Sequence, residues 1–175
     1  MEEKIRRYLV AFSEIIILAS VFMLFLAQSF LIDGYSMEPT LKNGQRILVE
    51  KISYLFSGPN RGDIVIFQNP KDDSEFYIKR VVGISGDELL IDNGALYLNG
   101  SLLEEPFAKE PISFPLKARY LVPEGYFFVL GDNRNHSADS RFVGAIPLKN
   151  LLGKVILIYW PLNQINLLHC KMKLN

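Results

Sequence analysis

Three short polar segments of this sequence carry residue types that can do nucleophilic chemistry. Ser36 stands in Gly34-Tyr35-Ser36-Met37-Glu38-Pro39-Thr40. Lys79-Arg80 interrupts an apolar run, with Phe76-Tyr77-Ile78 before it and Val81-Val82-Gly83 after it. Gly131-Asp132-Asn133-Arg134-Asn135-His136-Ser137-Ala138-Asp139-Ser140-Arg141 is a dense polar loop directly after the apolar run 127–130. A serine hydroxyl attacks a carbonyl only with a base beside it, and a serine–lysine pair is a recognised variant of the serine–histidine–acid arrangement. Taken alone, Ser36 reads as an ordinary turn or cap residue ahead of a proline.

Lys79 carries the stronger signal. Neighbouring side chains of a strand point to opposite faces, so one of Lys79 and Arg80 must face inward unless the strand lies at an edge. Burial penalises an ammonium and lowers its pKa from a reference near ~10.4 toward neutrality. A lysine that is neutral at working pH can act as a general base. The alternative is an edge-strand lysine that keeps neighbouring chains from pairing. His136 offers a rival base, because Ser36, His136 and Asp139 together would fill the roles of a triad. His169 has no partner that the sequence identifies.

The elements that must position these groups are mostly strands. Segments 46–50, 63–68, 76–84, 88–91, 95–98, 126–130 and 154–160 are rich in β-branched and aromatic residues. Turn signals separate them at Asn43-Gly44, Gly58-Pro59-Asn60, Arg61-Gly62-Asp63, Ser85-Gly86-Asp87, Asn93-Gly94 and Asn99-Gly100. Asn93-Gly94 predicts a two-residue hairpin. No long helical period follows the N-terminal region, apart from a short turn expected at 147–152. The folded part therefore reads as mainly β.

The N-terminus differs in kind. Residues 15–32 form a run of eighteen without a charge, long enough to cross a bilayer as a helix. The expected span is 8–32, with 1–7 cytoplasmic and 33–175 forming the extracytoplasmic domain. Lys4, Arg6 and Arg7 precede the span, and the positive-inside rule keeps them in the cytoplasm. The run exceeds a usual secretory h-region and lacks an Ala-rich cleavage site before Asp33, which favours a retained anchor over a cleaved signal.

Lys plus Arg number 19 and Asp plus Glu 19, so no overall field draws the chain to nucleic acid. The single cysteine, Cys170, forms no intrachain disulfide, and no Cys/His cluster has metal-ligand spacing. No metal and no other cofactor is expected.

The polar segments also resemble a known family in order. Ser36-Met37-x-Pro39-Thr40, Arg61-Gly62-Asp63-Ile64-Val65, Lys79-Arg80-Val81-Val82-Gly83-x-x-Gly86-Asp87 and Gly131-Asp132-Asn133-Arg134-x-x-Ser137-x-Asp139-Ser140-Arg141-x-x-Gly144 resemble the sequence boxes of bacterial type I signal peptidases. With the N-terminal anchor, the resemblance covers about residues 8–161. It implies a β-barrel or sandwich catalytic domain behind one transmembrane helix. Ser36 would be the nucleophile and Lys79 its base, with Ser137 orienting the lysine amine. Arg80, Asp132, Asp139 and Arg141 match the family's supporting ion pairs. Ile32 and Ile78 match positions lining pockets for small substrate residues at −1 and −3. The Ser36 backbone N–H would serve the oxyanion hole. Some relatives carry Ser or Thr two residues before the nucleophile as a second donor; here that residue is Gly34.

The implied partners are signal peptides of secreted preproteins and the lipid bilayer of a bacterial cytoplasmic membrane. A nucleophile four residues beyond the span stays near the membrane surface, where a signal peptide's cleavage region emerges. Such a segment can bind by adding a strand to a sheet edge, with alternate side chains filling pockets. A tethered binding module would give no reason for a lysine inside an apolar strand. A self-cleaving repressor-type protease would need a DNA-binding region where this chain has a membrane helix. Between Lys79 and the last box only a small cap is expected, around 98–114, where Pro106, Pro111 and Pro115 discourage central strands.

Overall fold

The computed structural model of the chain describes residues 2–168 and 172–174; His169 and Cys170 lie outside the described residues. Helix α1 runs Glu2–Leu26 and passes directly into strand β1, Ala27–Leu31. The span expected over 8–32 is thus corrected at its C-terminal end. Ala27–Leu31 pairs antiparallel with β2, Arg46–Glu50, in register from Ala27↔Glu50 to Leu31↔Arg46. Phe30 packs against the buried cluster of Ile32, Met37, Leu41, Ile47 and Val49. That ladder and that packing outweigh continuing the helix, so the sheet begins six residues before Asp33.

Along α1 the apolar side chains of Ile5, Tyr8, Leu9, Phe12, Ile15 and Leu18 are exposed. Among the described residues no helix is long and apolar enough to cross a membrane. The side chains at 19 and 21–25, inside the uncharged run, lie outside the described ones.

The remaining elements are α2 (Ser53–Phe56), β3 (Ile64–Asn69), β4 (Asp72–Gly83), β5 (Glu88–Asp92), β6 (Ala95–Leu98), β7 (Ser101–Glu104), β8 (Lys117–Leu121) and β9 (Tyr126–Leu130). They are followed by α3 (Ser140–Val143), β10 (Ile146–Pro147), β11 (Leu151–Trp160), β12 (Asn166–Leu167) and β13 (Lys173–Leu174). An eight-stranded antiparallel sheet has the order β1-β2-β11-β3-β4-β9-β10, with β12 on β11. A five-stranded sheet has the order β13-β7-β6-β5-β8. The fold is mainly β as expected, but among the described residues no sheet closes into a barrel. The end strands of the large sheet are β1 and β10; within it β9 pairs β4 only from Arg80 onward, leaving residues 72–79 with β3 on one side alone.

The Asn93-Gly94 hairpin forms as predicted, with Asp92 opposite Ala95 and positive φ of 47° and 86° at the two turn residues. The insertion is larger than the small cap expected over 98–114. β5 to β8 make a sheet of their own, because Leu89, Ile91, Leu96 and Leu98 bury a shared face with Val82, Phe128 and Leu130. The strandless part is 105–116, which contains all three prolines.

The large sheet is covered on both faces. Along β3, Ile64 and Ile66 enter the cluster with Ile47 and Val155, while Val65 and Phe67 enter the one with Val81, Phe127 and Val129. The period-2 alternation thus feeds two cores. A strand in this position is rigid on both sides, which is what a precisely aimed side chain requires.

Candidate active site

Lys79 sits where β4 leaves that double cover. It lies opposite Val65 of β3, one residue before β9 joins at Arg80↔Leu130. The chain leaving β9 at Leu130 becomes the polar loop at once, so the loop lands beside the lysine. Lys79 is 5 % exposed, which sets it apart from a solvent-facing edge lysine. Its Nζ hydrogen-bonds Ser36 Oγ at 2.8 Å and donates to the Ile78 carbonyl at 3.0 Å. Burial pushes its pKa down from 10.5 to about 8, with Asp139 pulling weakly the other way. The Tyr77 ring stands 5.3 Å from Nζ.

Ser36 is held by a tight local turn. Gly34 has φ of 125°, a conformation that side chains rarely adopt, and its N–H donates to Asn43 Oδ1 at 2.9 Å. Leu41 N–H donates to the Met37 carbonyl at 2.9 Å, and Met37 and Leu41 are buried. The polar loop grips the same turn from the other side. Asn133 N–H donates to the Ser36 carbonyl at 3.0 Å, and Asn133 Nδ2 donates to the Tyr35 carbonyl at 3.1 Å. Gly131 makes this approach possible, since a Cβ there would collide with Ser137 and with the Ser36 carbonyl.

The four ion-pair residues form two buried pairs. Arg80 meets both oxygens of Asp132 at 2.8 and 2.7 Å, and Asp132 also accepts from Thr40. Arg141 meets both oxygens of Asp139 at 2.8 Å, while Asp139 accepts from Gly131 N–H at 3.1 Å. These bonds close the loop on itself and fasten it to β4.

One expectation from the sequence and one rival reading differ from this geometry. The lysine amine bonds Ser36 and the Ile78 carbonyl, whereas the buried Ser137 hydroxyl has no hydrogen-bond partner among the described residues. Ser137 packs against Gly131 instead. The histidine triad is not assembled: the His136 side chain is 75 % exposed, with Glu110 at 3.9 Å, and Asp139 is engaged by Arg141.

Ile32 and Ile78 both line a cleft of about 200 Å³ that reaches Ser36 and Lys79. Its walls are the end of β1 and the free stretch of β4, brought together by a Phe30–Phe76 contact at 6.4 Å between ring centroids. A wider cleft of about 510 Å³ continues past Ser36, lined by Tyr35, Glu38, Lys109, Asn133 and His136. Among the described residues no group of His, Cys, Asp and Glu is placed to hold a metal ion.

Sequence reasoning missed several residues that shape the site. Arg134 forms a bidentate pair with Glu105 at 2.6 and 2.5 Å, and Phe107 lies 3.8 Å from the Arg80 guanidinium carbon. Both partners come from the strandless part of the insertion. Thr40 and Asn133 were visible in the motifs but had no assigned work. A buried Arg needs a carboxylate, so the Arg134 of the polar loop was itself a signal that an acidic partner lay elsewhere in the chain.

A buried amine on a serine hydroxyl, at the end of a groove with strand edges, is equipped for acyl transfer. Residues 5–160 match the family model described as signal peptidase, peptidase S26. The chain is 40% identical over 162 residues to a probable signal peptidase I-2 of Synechocystis, covering 87% of this chain and 72% of that one. It is 39% identical to the signal peptidase I of Leptolyngbya laminosa, covering 86% and 77%, and 31% identical to signal peptidase IB of Staphylococcus aureus, covering 94% of each. A solved signal peptidase I of Enterococcus faecalis is 28% identical, covering 56% of this chain and 97% of that one, with a TM-score of 0.46. The chain belongs to the signal peptidase family, peptidase S26, as a serine endopeptidase of the signal peptidase I type.

Proposed function

We propose that this enzyme removes N-terminal signal peptides from exported preproteins with Ser36 as nucleophile and Lys79 as general base. The observation that carries this reading is the 2.8 Å contact between Lys79 Nζ and Ser36 Oγ in a buried setting. With its pKa lowered to about 8, a substantial fraction of Lys79 is neutral in mildly alkaline solution.

The chemistry follows in two halves. Neutral Lys79 takes the Ser36 proton as Oγ attacks the scissile carbonyl, and negative charge builds on the carbonyl oxygen. The Ser36 backbone N–H donates to that oxygen. Gly34 N–H is already committed to Asn43, so it supplies no second donor. The C–N bond breaks as the Lys79 ammonium gives its proton to the leaving amine, the new N-terminus of the mature protein. An ester to Ser36 remains. Lys79, neutral again, takes a proton from water as the water oxygen attacks the ester; the bond to Ser36 Oγ breaks, Lys79 returns that proton to Oγ, and the signal peptide leaves as an acid that ionises to carboxylate.

Substrate would enter as a strand between β1 and residues 72–79 of β4, each of which has a strand partner on one side alone among the described residues. Alternating side chains of such a strand would reach the small cleft lined by Ile32 and Ile78. Its volume of about 200 Å³ suits small residues at −1 and −3. The exposed apolar surface of α1, with Lys4, Arg6 and Arg7 in the helix's first turns, supports a single-pass anchor in the bacterial cytoplasmic membrane. The N-terminus would be inside and the sheets outside.

The test is cleavage of a preprotein by the detergent-solubilised full chain, with product termini read by mass spectrometry. Wild type is expected to cut after a small residue, and Ser36→Ala and Lys79→Ala are each expected to be inactive. Near-normal cutting by Ser36→Ala would end the assignment of the nucleophile.

A further inference from the structure

The polar loop holds the chain on both sides of the Ser36 amide through one residue, Asn133. Its side-chain Nδ2 donates to the Tyr35 carbonyl at 3.1 Å, and its backbone N–H donates to the Ser36 carbonyl at 3.0 Å. The Tyr35 carbonyl and the Ser36 N–H belong to one planar peptide unit. Fixing the carbonyl therefore fixes where the N–H on the opposite side of that plane points. Donation to the carbonyl also polarises the unit, which strengthens its N–H as a donor.

The clamp is itself clamped. Asn133 is 2 % exposed. The residue before it, Asp132, is locked to Arg80, and the residue after it, Arg134, is locked to Glu105. Asn133 Oδ1 is buried with no partner among the described residues, so the side-chain amide is fastened through its donor end alone. Because Gly34 brings no side-chain donor and its own N–H is spent on Asn43, the aim of the Ser36 N–H matters more here.

We propose that Asn133 is a positioning residue which aims the Ser36 backbone N–H at the developing oxyanion, its side-chain amide acting through the Tyr35 carbonyl. This rests on the reading of Ser36 as nucleophile. The effect proposed for Asn133 is on the direction and strength of one donor.

The experiment compares matched signal-sequence esters that differ only in C=O against C=S at the scissile carbonyl. Sulfur accepts a hydrogen bond poorly, so the ratio of kcat/KM for oxoester over thionoester reports the donor directly. That ratio does not depend on the fraction of enzyme that is folded. Asn133→Leu is expected to lower kcat on the oxoester by about 10- to 100-fold, part of the roughly 10²–10³ that one oxyanion donor supplies. KM and the pH midpoint of the base should stay in place, and the oxo-to-thiono ratio should fall by a similar factor. Asn133→Asp keeps the shape and the backbone bond but sets a charged acceptor against the Tyr35 carbonyl in place of the donor, so the ratio should fall at least as far. Parallel losses on both esters, or no loss on either, would overturn the proposal. Ser36→Ala separates the two levels: activity in that variant would sink the nucleophile assignment itself. An inactive Ser36→Ala beside an unmoved ratio would sink only the role of Asn133.

Discussion

The Arg80 guanidinium grips Asp132 through two parallel bonds, at 2.8 and 2.7 Å, with the two side chains 4 % and 0 % exposed. The pair stands one residue along β4 from Lys79 and one residue along the polar loop from Asn133. It therefore ties together the two segments that hold the amine and the serine turn. Replacing Asp132 by Ala would leave a buried guanidinium with the Gly62 carbonyl and Thr40 as its remaining hydrogen-bond partners among the described residues. Breaking one side of a buried pair costs about 3–5 kcal/mol. Asp132→Ala is expected to lower the midpoint of urea unfolding by a corresponding amount and to lose activity with it. A variant with unchanged midpoint would show that the pair does not fasten the loop.

Burying Lys79 carries a stability cost that can be read separately from catalysis. Its pKa is lowered from 10.5 to about 8, which corresponds to roughly 3 kcal/mol of disfavoured charge. In the pH range between these values the unfolded chain binds more protons at this site than the folded one. Its contribution to stability therefore rises with pH from about 8 to 10.5, and the penalty is fully present below 8. Lys79→Met keeps the apolar volume and removes the charge. It is expected to be inactive yet more stable than wild type at pH 7, with the gain shrinking as pH rises toward 10. Thermal melts across that range measure this; equal or lower Tm for Lys79→Met at pH 7 would contradict it.

On the proposed mechanism the same shift sets the pH dependence of the reaction. The free-enzyme base must be neutral, so kcat/KM is expected to rise with pH to a midpoint near 8, where Lys79 loses its proton. Lys79→Arg should be inactive at every pH up to 10, because a guanidinium stays protonated. His136→Ala should keep most of the rate, since that side chain faces solvent. A midpoint below 7 that disappears in His136→Ala would return the histidine to contention.

The placement of Lys79 beside Ser36 was partly legible because residue type and strand pattern pointed the same way. Lys79 between two apolar triplets could hardly be accommodated except as a buried amine or an edge guard; its stretch of β4 is paired on one side only, yet the side chain is 5 % exposed, which favours the buried amine. The Asn93-Gly94 turn was equally plain, since few residues accept positive φ in succession. β1 was not legible: Gln28 and Ser29 are polar and exposed, and the apolar run before them continues into Ala27 without a break. Only the long-range ladder to 46–50 reveals that the helix stops there. The insertion was underestimated for a related reason. β7 and β8 are short, half-exposed strands whose partners lie in β6 and β5, and the prolines between them marked the loop correctly while hiding its flanks.

The position of β1 makes a truncation test decisive for the domain boundary. Cutting before Ala27 leaves the eight-stranded sheet complete. Cutting before Asp33 removes Phe30 and Ile32 from their cluster and leaves β2 with one partner. The chain starting at Ala27 is expected to be folded and active on a peptide substrate in detergent. The chain starting at Asp33 is expected to aggregate or to lose several kcal/mol, since the buried Ile32 accounts for about 1.5–3 kcal/mol, the half-buried Phe30 for less, and the whole β1–β2 ladder goes with them. Equal stability of the two, measured by urea unfolding, would show that β1 is dispensable.

Ser137 gives the sharpest contrast between what the family boxes imply and what the geometry holds. Its hydroxyl is buried without a hydrogen-bond partner among the described residues, and an unpaired buried hydroxyl costs on the order of 1–3 kcal/mol. The Lys79 amine meanwhile has two bonds that do not involve it. Ser137→Ala removes the hydroxyl while keeping the Cβ that packs on Gly131, so Tm is expected to stay level or rise. Turnover should fall by no more than about tenfold, the scale of one ordinary hydrogen bond of about 1 kcal/mol. A loss comparable to that of Lys79→Ala, with Tm preserved, would mean that the hydroxyl swings onto the amine when substrate binds. The lysine would then be oriented in the complex by a contact that the free enzyme does not make.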